Sequence, residues 1–333
     1  MSDATRTTRP AAAAEGPSNN KPLDAIDPAM RDTPSPAADR NPLRRVWHRG
    51  STVDPRYLIA FLITLVLVAA QVRYNMVGGY DRLVLTLLVC TTTETLLSWF
   101  DRGKVVNLLS AYISGISLTL LIKPQGGALW PFVLGGFLAI SSKYVLRYRG
   151  NHLWNPTNFA ICALLLAAPD RVSVLSHQFG NDLTTNLVIW IFGLIIAARV
   201  GVLHITLTYV ASFLLLNTAR ATALGMPVLP EIAPITGPMY QLFVFFMITD
   251  PRTVVRGRRH QMIIAALIAF AETLIRFAAD RGVMMPIAFS AAPAFMALTL
   301  VGPIAKWLDL RKSPRTGTSR GALAPLAAPN RAR

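Results

Sequence analysis

Apolar residues fall along the chain in runs of about 17–20 positions, the length that crosses a hydrocarbon core of ~30 Å. Short polar stretches rich in Arg, Asp, Gly and Pro separate the runs. The pattern predicts ten helices, at roughly 57–72, 82–100, 105–122, 129–147, 157–169, 184–200, 202–218, 237–249, 261–279 and 285–303. The fifth and eighth are short and need their polar flanks to cross. Ten spans divide into two groups of five, and an odd number per group turns the second upside down relative to the first. The third span opens on Ser110-Ala111-Tyr112-Ile113-Ser114-Gly115 and ends at Lys123-Pro124. The eighth opens on Ile235-Thr236-Gly237-Pro238 and ends at Asp250-Pro251. Spans five and ten open on Asn155-Pro156 and Met285-Pro286. The expected fold class is an all-α polytopic membrane protein, with ten transmembrane helices in two inverted five-helix repeats. The transmembrane domain covers 55–308, between tails 1–50 and 313–333 that are expected to be disordered and cytoplasmic.

Composition sharpens this picture. Of 333 residues, 53% are hydrophobic and only 15% charged, whereas a soluble domain carries roughly 25% charged residues. The net charge of +16 would suit nucleic acid, but its distribution argues against that partner. With the N-terminus inside, Lys and Arg favour the inner loops and tails over the outer loops by about two to one. Both termini are therefore expected on the cytoplasmic side of a membrane. Cys90 and Cys162 fall inside predicted helices with no metal-like spacing and read as small buried hydrophobes. No GxSxG, Walker A, HExxH or GxGxxG motif is present.

The informative residues are polar ones in an apolar setting. Asn151, His152, Asn155, Pro156 and Asn158 crowd the start of span five. Pro156 suits the first helical turn, and Asn155 can cap it. Capping accounts for one asparagine; the group reads either as capping alone or as contact with a ligand that offers both donors and acceptors, such as a flavin ring. Thr249 and Asp250 close span eight on the same side. Asp250 is either one half of a surface ion pair or a carboxylate facing a cavity opened by Asn155. Glu94 lies inside span two, where an unpaired carboxylate costs about 2.5 kcal/mol or more. Lys143 is its candidate partner, and the two are either an ion or proton pathway or a structural pair. Glu272 and Arg276 are spaced for an intrahelical pair.

Together, Ser110 to Gly115, Lys143, the Gly150-to-Pro156 stretch and the Phe245-Phe246-Met247-Ile248-Thr249-Asp250-Pro251 run resemble a known family. It is the membrane subunit shared by the sodium-translocating NADH:quinone reductase (its B subunit) and the Rnf electron-transport complex (its D subunit). The resemblance covers about 55–308. It implies a urea-transporter-like fold in a bacterial inner membrane, partner membrane or redox subunits, and a role in flavin-dependent electron transport, with coupled ion transport. It also implies a non-covalent flavin, riboflavin or FMN, near Asn155-Pro156 and Thr249-Asp250-Pro251. The family attaches FMN covalently through an S-G-A-T motif in the outer loop after span five. No such motif stands here, so covalent FMN is not expected, and the chain is similar to divergent members found beside enediyne-type genes. The alternative is a flavin-free transporter or channel of the same fold.

Overall fold

A computed structural model describes residues 55–75, 77–174 and 183–312. The expected tails lie outside these residues. The described chain is mostly helical, and each predicted apolar run carries helix. The first run forms α1 (Pro55–Tyr74), the second α2 (Tyr80–Arg102) and the third α3 (Leu109–Leu121). α4 (Trp130–Val145) and α5 (Pro156–Ala167) complete the first five. α6 (Leu183–Val200) and α7 (Leu203–Ala223) follow, then a short α8 (Val228–Ile232) and α9 (Pro238–Leu242). α10 (Arg258–Asp280), α11 (Ile287–Ala291) and α12 (Pro293–Lys312) close the fold. By length and composition, α2 and α10, 23 residues each, are the two described helices able to cross a membrane. The other apolar helices are shorter.

The short and broken helices have local causes. α3 stops where Lys123-Pro124 turns extended: Ile122–Pro124 forms β1, which pairs antiparallel with β4 (Val172–Val174). The eighth run is not a continuous α-helix. One turn of α9, with Pro238 at its start, passes into a π-helical segment, Phe243–Met247. The tenth breaks at Ala292, because the residue before a proline is pushed out of helical geometry and Pro293 follows. Between α4 and α5 lies a small hairpin of β2 (Arg147–Tyr148) and β3 (Asn151–His152). Its two-residue turn needs positive φ at both positions, which Arg149 (50°) and Gly150 (77°) supply.

Packing follows one scheme twice. α2 lies against α4 and α4 against α5; in the second half α7 lies against α10 and α10 against α12. α1 meets α6, and α5 meets α12, which joins the halves. Large apolar side chains such as Phe61, Leu88, Phe137, Leu215 and Ile304 face outward. Polar ones are buried: Thr86, Asn217 and Glu272 are each 0% exposed. Glu272 accepts hydrogen bonds from the Tyr209 and Tyr240 hydroxyls and from Arg276 Nε at 3.1 Å, the expected i,i+4 pair. Cys90 and Cys162 are buried free thiols, as expected.

Candidate functional site

The site forms where breaks in both halves meet. Asn155 sits just before α5 in extended geometry, and its Oδ1 accepts the Asn158 backbone N–H at 3.1 Å. Pro156 follows at the first helical position, where its missing N–H leaves nothing unsatisfied. The second arm of the Asn155 amide, Nδ2, donates to Asp250 Oδ2 at 3.2 Å. Asp250 Oδ1 accepts the Arg252 backbone N–H at 3.0 Å, which fixes the turn after the π segment. One amide therefore caps α5 and ties it to the far half of the chain.

Behind this bond lies a narrow slot of about 100 Å³. Ser110, Ser114 and Ser117 line one side, spaced at i, i+4 and i+7 on a single face of α3. Phe245 and Phe246 of the π segment line another. Pi-helical turns are frequent at functional sites because the extra residue re-aims side chains. Thr249 is in the slot too, with its hydroxyl donating to Phe245 O at 2.7 Å.

In front lies a wider chamber of about 450 Å³. His152, Pro251 and Arg252 belong to both spaces, so slot and chamber adjoin. Glu94 and Lys143 form part of the chamber wall as a buried pair at 2.7 Å. Lys143 also donates to Ser110 Oγ at 3.0 Å, and the Tyr144 hydroxyl donates to Glu94 Oε1 at 2.8 Å. Both Glu94 oxygens are thus engaged, and the cluster joins α2, α3 and α4. Arg102, Arg147 and Lys306 add positive charge to the same wall. Arg147 is held by a two-pronged contact to Asp101 at 2.8 and 2.9 Å. The His152 ring is buried, and burial holds its pKa below the ordinary 6.5; Asp250 opposes that shift while Arg252, Lys143 and Lys306 reinforce it.

Of the residues singled out from sequence, Asn155, Pro156, Thr249 and Asp250 line the slot, and Asn151, Glu94 and Lys143 line the chamber. Asn158 turns away. Its Nδ2 donates to Phe295 O at 3.2 Å and Thr299 Oγ1 at 2.6 Å, which fastens α5 to α12. The sequence reading did not assign the α3 serines, although their helical spacing is visible in the chain. Arg102, Arg147 and Lys306 served there only to orient the helices, and Arg252 also as a surface partner for Asp250, because nothing in sequence shows that they converge. Residues 175–182, most of the stretch where a covalent-attachment motif would stand, lie outside the described residues. No protein-family model matches the chain, and no curated protein matches it.

Proposed function

We propose that the protein is a multi-pass membrane component of an electron-transport system of the NADH:quinone reductase and Rnf type, with a non-covalent flavin seated across slot and chamber. The carrying observation is that slot and chamber adjoin at His152, Pro251 and Arg252, beside the Asn155–Asp250 bond that ties the two halves. The outward apolar side chains and buried polar ones support a lipid-embedded chain, since water-soluble proteins bury their large apolar residues. The repeated packing scheme supports two inverted five-helix halves. In this reading both termini face the cytoplasm, and the chain works with other redox subunits in a bacterial inner membrane.

The residues fit a flavin. The slot alone is too small, but the chamber lies within the roughly 300–1,000 Å³ of ordinary ligand sites. The ring body would occupy the chamber with one edge reaching the slot. Asn155 Nδ2 keeps a second N–H beyond the one given to Asp250, and Asp250 keeps unused lone pairs. Phe245 and Phe246 supply an apolar wall and the α3 serines a polar one. A bound flavin would supply electron acceptance and release. The protein's part is to orient it and limit its contact with water.

Purified full-length protein in detergent should carry the visible absorbance of an oxidised flavin, released intact on denaturation. Asn155→Leu should lose that colour, and Asn158→Ala should keep it at reduced thermal stability. A folded, colourless preparation that does not take up added flavin sinks the proposal. Na⁺ or solute flux through such a preparation in liposomes would put a transporter in its place.

A further inference from the structure

We infer that the chamber is a binding site for a phosphate group, held by Lys306, Arg252 and Lys143. The inference deepens the proposed function, because a flavin seated there would then carry its phosphate, as FMN and not riboflavin.

Lys306 is the leading observation. It is 7% exposed and lines the chamber, yet among the described residues its ammonium meets a backbone carbonyl, Val254 O at 2.7 Å, and no carboxylate within ion-pair distance; Asp309 and Asp250 act on it only from farther away. Lysines are seldom buried without a counter-charge, because a desolvated cation with only neutral partners is costly. Lys143 is equally buried, and Glu94 and Ser110 occupy two of its three donors. Five cations, Arg102, Lys143, Arg147, Arg252 and Lys306, share the wall with one carboxylate, Glu94. Counting Asp101, Asp250 and Asp309 just beyond it sets four carboxylates against the five cations and still leaves positive charge in excess.

A cytoplasmic collar of positive charge would explain basic residues in general but not this arrangement. Lys104, Arg258, Arg259 and Lys312 show what such a collar looks like: they are exposed to the surroundings. Arg102 and Arg252 are exposed as well, but Lys143 and Lys306 are buried, and the five cations, from α2, α4, β2, the turn after the π segment and α12, line one concavity. Converging like charges repel unless an anion sits among them. Arg and Lys donors together suit phosphate oxygens, which accept several charge-assisted hydrogen bonds at once. The phosphate could belong to a flavin mononucleotide or to an anionic lipid at the membrane surface.

The test uses full-length, flavin-stripped protein in nanodiscs of neutral lipid. FMN and riboflavin affinities are compared by fluorescence quenching. Thermal midpoints are followed with added inorganic phosphate and, separately, in nanodiscs containing phosphatidylglycerol. Lys306→Gln and Arg252→Gln are carried alongside, with size-exclusion profiles to confirm folding. A cofactor phosphate predicts FMN binding about tenfold or more tighter than riboflavin, worth at least ~1.4 kcal/mol, with the advantage lost in both variants. Equal flavin affinities with a midpoint raised by phosphatidylglycerol, and not in the variants, assign the phosphate to lipid. Stabilisation by phosphate or anionic lipid without binding of either flavin supports the phosphate site and removes the flavin function. Equal flavin affinities with no response to phosphate or anionic lipid overturn the inference and leave the flavin function standing. Retention of the wild-type response by both folded variants also overturns it.

Discussion

Asn155 shows how much a single side chain can be asked to do: one carboxamide ends a helix and holds a carboxylate from the other half of the chain. The capping role was legible, because an asparagine before a proline at a helix start has few other uses. The Asp250 contact was not, since it depends on where residues 95 positions apart come to lie. Glu94 and Lys143 were paired correctly because a carboxylate in an apolar run demands a partner and few candidates exist. With both side chains 6% exposed, Lys143→Met should cost about 3–5 kcal/mol by stranding Glu94. Adding Glu94→Gln should recover most of that loss, read as thermal midpoints; a double variant no better than Lys143→Met would show that the pair does not act as a unit. His152 gives a prediction with a sign. The unfolded ring takes its proton near 6.5, and the folded ring only at lower pH. Between those values the unfolded state holds more protons, so stability falls as pH falls through that window. Midpoints measured from about pH 7.5 down to 5 should decline in the wild type and flatten in His152→Gln. Equal slopes would mean that His152 is not the source.

At the scale of elements, helix existence was legible and continuity was not. Apolar runs marked each helix, and prolines marked several starts, but the π segment at Phe243–Met247 leaves no trace in periodicity. It matters because it sets Phe245 against α6. A Cβ added at Gly193 would stand 2.4 Å from the Phe245 ring, which also packs edge to face on Trp190 of the same helix at 5.1 Å. Gly193→Ala should therefore turn Phe245 toward the slot it lines. Overpacking of this kind costs about 1–3 kcal/mol, and the narrowed slot should weaken the proposed flavin binding by about tenfold. An alanine variant that melts and binds like the wild type would show that the ring has room elsewhere. The hairpin between α4 and α5 was also missed as structure, since strands of two residues are too short for an alternating pattern. Only Gly150 hinted at its turn.

For the whole molecule, the outward apolar surface follows from composition, and the repeated packing scheme from the order of the helices. The chamber does not, because its charges come from separate elements that sequence cannot bring together. One of its walls has a consequence in time. Lys306 lies on α12, and that helix is held in place by others: Arg149 of the hairpin turn donates to Leu310 O at 2.7 Å, and the Trp154 indole N–H to Thr299 O at 3.1 Å. A ribosome delivers α12 after α2, α4, the hairpin and the π segment, which supply the other walls. During synthesis the growing chain therefore presents the chamber without its Lys306 wall, and that wall arrives only after the α12 segment has left the exit tunnel.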